Sequence, residues 1–280
     1  MSELMFTDEF SIRLICFFGV LIALAIWEFA APRRRLRLPR LLRWPNNLGI
    51  AALNSVVVRL IFPTVAVGLA TVAQGRGWGL FNIVDVPAWI AFLACILVFD
   101  FAIYLQHILF HAVPALWRLH RMHHADLEFD VTTGVRFHPG EILLSMGVKL
   151  TLVVAVGPPA FGVLVFEILL NATSMFNHGN VRMPARLDRA LRWFIVTPDM
   201  HRVHHSVYPT ETNSNFGFNL TWWDRLLGTY RAQPRDGHIG MTVGIEQFRT
   251  QRDLWLDRML IQPVRGAIGN YPISRNRDQS

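Results

Sequence analysis

The sequence is poor in charged residues and in cysteine. Of its 280 residues, 17% are charged and 52% are hydrophobic, and the mean hydropathy is +0.32. A soluble domain contains about 25% charged residues, so the composition argues against a soluble protein and favours a membrane protein. The two cysteines, Cys16 and Cys95, lie in apolar runs and have neither CxxC nor zinc-ligand spacing. This excludes a disulfide framework, an iron–sulfur cysteine pattern and a cysteine-based zinc site.

Lysine is almost absent, although the chain is basic. The net charge is +7, and Lys149 is the only lysine among 27 basic residues. A preference for arginine over lysine reflects codon usage more often than mechanism. Because the arginines flank apolar runs, we interpret the positive charge as attraction to anionic lipid headgroups and not to nucleic acid.

Long apolar runs, by contrast, are frequent. A helix rises about 1.5 Å per residue, so about 20 apolar residues cross a membrane. The sequence predicts transmembrane helices at residues 14–31, 48–73 and 86–106, and a further apolar stretch at 142–177 that is interrupted by GPP at 157–159. We expect this last stretch to fold back as two helices, which either cross the membrane or form a short hairpin. The predicted fold is an all-α integral membrane bundle of about four transmembrane helices.

The distribution of arginine predicts the topology. Six arginines between Arg33 and Arg43 follow the first apolar run, and the positive-inside rule makes this loop cytoplasmic. The segment before the run is acidic and no clear small-residue cleavage site follows it, so we interpret the run as a retained helix and not as a signal peptide. Counting spans from there places the histidine-rich segments in a helical cap on the cytoplasmic face. We expect the protein to lie in a bacterial inner membrane.

Histidine is concentrated in two short windows. The sequence has 11 histidines, and eight of them lie within 107–124 and 201–205. Windows of this combined length would contain about one histidine by chance. The motifs HILFH, HRMHH and HRVHH have the spacing of residues that share one face of a helix. We expect each helix to direct its imidazoles toward one point, which brings together His107, His111, His120, His123, His124, His201, His204 and His205.

Eight convergent imidazoles exceed what one metal ion accepts, so the sequence predicts two ions. Imidazole suits iron, zinc, copper and nickel. A structural zinc would favour a closed four-ligand site with cysteine, so we favour a redox role for two iron ions, with zinc as a substitute in a purified sample. A metal transporter would also collect histidines, but transporters place their ligands near the bilayer midplane. A haem protein is a further alternative, but it needs only a pair of axial histidines, far fewer than the eight that converge here.

Two polar residues share a helix face with the first histidines. Asp100 and Tyr104 precede His107 and His111 at helical spacing. A carboxylate in a membrane helix is costly without a partner. We therefore consider two roles for Asp100: it hydrogen-bonds a ligand imidazole and orients it, or it makes a hydrogen bond between helices. Thr197 and Pro198 fit the N-cap and first turn of a helix that carries HRVHH.

An ordered set of motifs resembles the fatty acid hydroxylase/sterol desaturase superfamily. The motifs are DFAIYLQHILFH, HRMHH, RFHPGE, FNHGN, TPDMHRVHH and NFGFNLTWWDRLLGTY, and together they span roughly residues 95–232. Members of this family are membrane-embedded di-iron oxidases with HxxxH, HxxHH and HxxHH boxes. The resemblance therefore implies that the eight histidines of the two windows are metal ligands.

The resemblance also bears on three positions outside these boxes. It implies that His178, in FNHGN, is a further ligand. Some family members carry a histidine four residues earlier, where this chain has Ser174, which leaves the coordination number open. His138, in RFHPGE, corresponds to a residue near the site in several branches, either as a ligand or behind one.

The implied reaction is oxidation of a lipid by dioxygen. Hydroxylation of a C–H bond, desaturation and ether-lipid cleavage are all open. The chain has no nucleotide-binding GxGxxG motif after a strand and no cytochrome b5-like segment, so an external ferredoxin, cytochrome or reductase is expected to supply electrons. We expect one membrane-embedded oxidase domain over 1–280, with membrane spans and a basic loop at 1–94, the catalytic region at 95–232, and an amphipathic helix and polar tail at 233–280.

Overall fold

The computed structural model describes residues 2–62 and 64–276. Within these ranges the chain is helical, and its only β-structure consists of isolated bridges such as that between Ser206 and Val243. The predicted all-α membrane bundle is confirmed. The last residues of the predicted polar tail, 277–280, lie outside the described part of the chain.

Eight helices form the first two thirds of the chain. They are α1 (Ser2–Ala30), α2 (Arg40–Ile61), α3 (Ala66–Arg76), α4 (Leu80–Ile83), α5 (Ala88–Ala112), α6 (Pro114–His124), α7 (Pro139–Val156) and α8 (Ala160–Asn177). By length and composition, five segments can cross a membrane: Glu9–Ala30, Arg40–Ile83, Ala88–Ala112, Pro139–Val156 and Ala160–Asn177. Several of their large apolar side chains face outward, as expected for contact with lipid: Ile15 is 71% exposed and Leu60 is 77% exposed.

The remaining helices are short. They are α9 (Ala185–Leu191), α10 (Pro198–His204), α11 (Pro209–Thr212), α12 (Trp222–Leu226), α13 (Gly237–Gly240), α14 (Leu256–Ile261) and α15 (Ile273–Asn276). The predicted C-terminal amphipathic helix is wrong: 3₁₀ turns at Gln251–Leu254 and Gln262–Val264 flank α14. Trp255 is extended, with ψ 145°, and it breaks the helical repeat between the first turn and α14. The carbonyls of Gln262, at the end of this segment, and of Ala267, just after it, accept hydrogen bonds from Arg121.

The predicted second span is also not one continuous helix. The prediction placed it at 48–73, whereas α2 ends at Ile61, Phe62 is extended, and α3 begins at Ala66. The sequence carries Pro63 here, and a residue that precedes proline disfavours the helical conformation. The second piece, α3, packs against both α7 and α8.

The break predicted at 157–159 is confirmed. Gly157 ends α7 in the left-handed conformation, with φ 65°, and α8 begins at Ala160. Gly79 packs directly on this turn, because a Cβ added to Gly79 would lie 2.2 Å from the Gly157 nitrogen. Glycine is required on both sides of this contact.

Packing around α5 sets the position of the histidines. The central helix α5 packs against α6, α7 and α8, while α1 packs along α8 and α2 packs along α7. The segment between α6 and α7 is fixed to α2 by Arg43, which is fully buried and pairs with Asp126 at 2.7 Å and with Asp130 at 2.5 Å. As a result, the end of α5 that carries His107 and His111 meets α6, α8 and α10 at one end of the bundle.

Candidate metal centre

Nine buried histidines converge at this end of the bundle in two groups. The five-histidine group consists of His107, His111, His120, His124 and His204, and the four-histidine group consists of His123, His178, His201 and His205. No member is more than 3% exposed. These are the nine residues that the sequence and the resemblance single out as ligands, and the structure brings all of them together.

Short helices carry the histidines of both HRxHH motifs. Pro114 starts α6 directly after α5 ends, so His120 folds back toward His107. The helix α10 begins at the predicted cap, where the Thr197 side chain accepts a hydrogen bond from the Met200 N–H. Both helices are short, and their histidines lie in the last turns or just past the end.

The expectation that each helix directs its imidazoles toward one point is confirmed for His107 and His111 of α5, which share the five-histidine group, but it is wrong for the two HRxHH motifs. His120 and His124 belong to the five-histidine group, but His123 belongs to the other. In the second motif, HRVHH, the assignment is reversed: His201 and His205 belong to the four-histidine group, and His204 belongs to the five-histidine group. Consecutive residues on a helix point in different directions, whereas residues four apart share a face. Each HRxHH motif therefore contributes histidines to both groups.

The inward-facing nitrogens are close together. His120 Nε2 lies 3.1 Å from His107 Nε2 and 3.2 Å from His124 Nε2. His178 Nε2 lies 3.0 to 3.2 Å from the corresponding atoms of His123, His205 and His201. Metal–imidazole bonds are about 2.1 Å long, so neighbouring ligands at a right angle have nitrogens about 3.0 Å apart. The spacing therefore fits ligands of a common ion in each group.

Hydrogen bonds at the outer nitrogens select, for a neutral imidazole, the tautomer whose inner nitrogen carries no proton. In six of the nine histidines Nδ1 donates to an oxygen, which leaves an Nε2 lone pair facing the centre of the group. The acceptors are the carbonyls of Phe216, Arg136, Ser174 and Ser214 and the side chains of Asn213 and Glu141. Two lone pairs about 3 Å apart repel each other unless a cation lies between them. The donor set therefore fits a metal ion.

Other atoms of the cluster support this fit. The Nε2 atoms of His111 and His204 are buried and have no hydrogen-bond partner among the described residues. Burial lowers the pKa of five histidines outside the membrane spans well below its usual value, which keeps them in the neutral form that binds metal. These histidines are His123, His124, His201, His204 and His205.

Ser174 does not take the place of a ligand. Its hydroxyl donates to the Gly134 carbonyl at 2.7 Å, and its own carbonyl accepts the His178 Nδ1–H at 2.7 Å. Ser174 therefore orients His178 through its carbonyl, while its hydroxyl is bonded to Gly134.

Asp100 makes the hydrogen bond between segments and not the one to a ligand imidazole. It accepts from the backbone N–H groups of Asn219 and Leu220, from the Asn219 side chain at 2.8 Å and from the Trp223 indole at 2.8 Å. No histidine is among its partners within the described chain. Asp100 thus anchors the loop that leads from α11 to α12.

Tyr104 acts on the same loop. Its hydroxyl lies 2.8 Å from the Thr229 hydroxyl, which donates to Asp224 at 2.6 Å. Asp224 in turn accepts from the backbone N–H of Phe216 at 2.8 Å, and the Phe216 carbonyl accepts the His107 Nδ1–H at 2.8 Å. Tyr104 therefore supports a ligand through three intermediates, and its hydroxyl bonds to Thr229 and not to a histidine.

His138 belongs to neither histidine group. Its Nδ1 accepts from the Gly140 N–H and caps α7, and its Nε2 lies 3.1 Å from the Leu260 carbonyl. The neighbouring Glu141 is the residue that the sequence analysis missed, and it contacts His120 Nδ1 at 2.7 Å. Its signal was present: a carboxylate at the start of an apolar helix needs a partner.

A cavity connects the five-histidine group with the interior of the bundle. Its volume is about 1020 Å³, and its lining includes His107 and His120 together with residues of α1, α2, α7 and α8. Near the histidines its wall contains the apolar side chains of Ile103, Phe110 and Phe137, together with Gln106 and Glu141. The cavity can therefore hold a long apolar chain against one edge of the histidine cluster.

Comparison with known proteins identifies relatives of the histidine-bearing region. The family model described as Fatty acid hydroxylase matches residues 92–229. The chain is 33% identical over 145 residues to ornithine lipid hydroxylase OlsE of Rhizobium tropici, a match that covers 51% of this chain and 43% of that protein. It is 24% identical over 213 residues to alkylglycerol monooxygenase of Xenopus tropicalis, covering 72% of this chain and 45% of that one.

A third relative is cholesterol 25-hydroxylase of Rattus norvegicus, 28% identical over 150 residues, which cover 52% of this chain and 49% of the relative. The chain spans about half or less of the length of these three relatives. No solved structure matches it. The matched region 92–229 contains all nine histidines of the two groups, in close agreement with the predicted range of 95–232.

Proposed function

We propose that this chain, whose residues 92–229 match the fatty acid hydroxylase family model, is an integral membrane oxidase, a single domain that uses dioxygen to hydroxylate or desaturate a C–H bond of a lipid. The observation that carries the proposal is the convergence of nine buried imidazoles in two groups at one end of a largely apolar cavity. We assign one iron ion to each group, held by its five or four histidines. Bound iron would supply the reduction of dioxygen and the oxidation of the C–H bond.

The protein's own residues bind and orient the reactants. Glu141 holds His120 at the cavity edge, and the Phe216 carbonyl holds His107 there. The rings of Phe137 and Phe218 lie against the histidines, with Phe137 stacked on His123 at 4.5 Å between centroids and Phe218 5.1 Å from His107. These apolar rings exclude water from the place where the substrate chain meets the cluster.

The substrate class follows from the cavity and from the relatives. Lipid is named in one relative, and alkylglycerol and cholesterol in two others. The cavity lies among helices that can cross a membrane, so a lipid can reach it from the bilayer without passing through water. A second outcome, ether-lipid cleavage, is supported by the alkylglycerol monooxygenase match, which covers 72% of this chain.

We further propose that an acidic electron donor docks on the arginine-rich segment, which we place on the cytoplasmic face. A groove of about 540 Å³ is lined by Arg34, Arg35, Arg37 and Arg40 with Glu28 as the acidic member. The segment is close to the cluster, because Arg34 donates to the Met241 carbonyl at 2.7 Å and the Gly244 N–H donates to the His205 carbonyl at 3.0 Å. A ferredoxin, a cytochrome or a reductase fits this surface.

Comparison of lipid extracts tests the proposed reaction. Extracts of cells that express the protein are compared by mass spectrometry with extracts of cells that express the double variant His123→Ala/His204→Ala. A lipid that gains one oxygen indicates hydroxylation, and loss of two hydrogens indicates desaturation. An aldehyde and a free glycerol lipid indicate ether cleavage. Identical extracts, together with metal uptake into vesicles and no oxygen consumption, would instead identify a transporter.

A further inference from the structure

The only lysine of the sequence lies inside the bundle, in the wall of the cavity. Lys149, on α7, pairs with Glu167 on α8, and both residues line the cavity. The second oxygen of Glu167 accepts from Arg13 of α1 at 2.6 Å, and Arg13 also pairs with Glu9 at 2.8 Å. This polar network joins three helices across the cavity.

The network lies at membrane depth and far from the histidines. Lys149 follows Glu141, which contacts His120, by eight residues on the same helix, a distance of about 12 Å along the axis. Glu167 precedes His178 by eleven residues, or about 16 Å of helix. Ionisable residues at such depth are costly and commonly mark a substrate or ion site. The interval between network and histidines is lined mainly by apolar residues, among them Ile103 and Met146, and carries no charged side chain between Glu141 and Lys149 on α7 or between Glu167 and His178 on α8; its polar residues there are Ser145, Asn171 and Ser174.

The charges of the network already balance. Glu9 and Glu167 contribute two negative charges, and Arg13 and Lys149 contribute two positive ones. The further cation of the cavity lining, Arg59, is exposed and lies over the Phe10 ring, outside this buried network. Lys149 has three N–H donors, and Glu167 is its only hydrogen-bond acceptor among the described residues. Its spare donors can therefore bind an oxygen in the cavity. A carboxylate or phosphate would add an uncompensated buried charge, whereas a hydroxyl or carbonyl oxygen needs only a hydrogen bond.

We propose that Lys149 is the polar anchor of the substrate site: it binds a neutral oxygen group, a hydroxyl or an ester carbonyl, at one end of a lipid whose apolar chain extends to His107 and His120. The oxidised carbon is then about 12 Å or more from the anchored oxygen, and not adjacent to it. This inference rests on the proposed function for the reaction, but the binding it describes is independent of turnover.

Thermal unfolding of the zinc-loaded protein in detergent tests the anchor. Three probes of equal chain length are added at the same mole fraction: 1-octadecanol, octadecane and stearic acid. A ligand that binds the folded state raises the Tm. We expect 1-octadecanol to raise the Tm by several degrees more than octadecane or stearic acid does. The charge-balanced variant Lys149→Met/Glu167→Gln is expected to lose this difference, while Lys149→Arg retains it.

Met146→Leu serves as the matched control, since it changes the same wall of the cavity without changing a polar group, and it should keep the preference for the alcohol. An undiminished preference in Lys149→Met/Glu167→Gln would overturn the anchor, and so would stronger stabilisation by stearic acid than by 1-octadecanol. If instead the preference is present but no lipid is oxidised by the iron-loaded protein, the proposed function fails while the anchor stands.

Discussion

At the scale of single residues, consecutive histidines of each HRxHH motif belong to different groups. His123 and His204 are members of the four- and five-histidine groups respectively, although each is followed at once by a histidine of the other group. This arrangement places the two groups side by side, with the rings of His124 and His205 stacked at 4.5 Å. Two ions held in this way would be neighbours, as joint reduction of one dioxygen molecule requires.

The first prediction concerns this division. Removing His123 or His204 should lower bound metal from two ions per chain toward one and reduce lipid oxidation by at least about 100-fold, because each variant opens one group only. Metal is counted by mass spectrometry of the purified protein. The control is His238→Ala, a buried histidine outside both groups. Two retained ions with full activity in either variant would contradict the ligand assignment.

The second prediction concerns Glu141. Its carboxylate fixes the His120 proton on Nδ1, so Glu141→Gln should weaken metal binding at the five-histidine group by about 10- to 100-fold. A chelator titration measures the loss, and the metal at the four-histidine group should resist it. Ser145→Ala, one turn further along α7, is the matched control. Equal loss from both groups would mean that Glu141 has a general structural role.

At the scale of helices and loops, the chain holds its ligands by anchoring the segments behind them. The third prediction is that Asp100→Ala lowers the free energy of unfolding by roughly 3 kcal/mol, since it leaves buried N–H donors of the 219–223 loop without an acceptor. Asp100→Asn, which keeps one carbonyl oxygen, should lose less. Thermal unfolding in detergent provides the measurement. If Asp100→Ala lost metal at unchanged stability, Asp100 would act on the ligands directly.

The fourth prediction concerns the turn between α7 and α8. Gly157→Ala should destabilise the protein by about 1–3 kcal/mol, because the residue is left-handed and its new Cβ would lie 2.6 Å from the Trp78 carbonyl. Gly147→Ala lies in the same helix with nothing within 4 Å of the added Cβ, and it should be nearly neutral. Equal Tm values for the two variants would rule out this steric account.

At the scale of the whole molecule, the distribution of positive charge predicts how an electron donor binds. The chain carries a net charge of +7. The groove of about 540 Å³ proposed as the docking site is lined by four of its arginines and one glutamate. Electron transfer from an acidic donor should therefore slow as salt rises, because the Debye length falls to about 8 Å at 0.15 M ionic strength.

The fifth prediction tests this dependence. Arg35→Gln/Arg37→Gln removes two exposed charges of the groove and should lower the rate with a soluble ferredoxin several-fold at low salt, with little difference at high salt. Arg76→Gln, an exposed arginine at the opposite end of the bundle, is the control. A rate that does not change with ionic strength would refute electrostatic docking.

The sequence by itself determined the helical class, the break at 157–159 and eight of the nine histidines of the centre, whereas His178 was predicted only from the family resemblance. These features depend on local properties: apolar run length, proline and glycine at a turn, and imidazoles at helical spacing. The Thr197 cap was predictable for the same reason, because a cap involves residues only three apart.

Only the tertiary structure decided how the histidines divide between two groups, that Asp100 holds a loop, and that Lys149 faces Glu167 across a cavity. Each of these facts depends on the directions in which separate helices face one another. A spacing along one helix fixes which side chains share its face, but it does not fix which partner that face meets. That partner is set by the packing of α5 against α6, α7 and α8, through contacts between residues far apart in the chain.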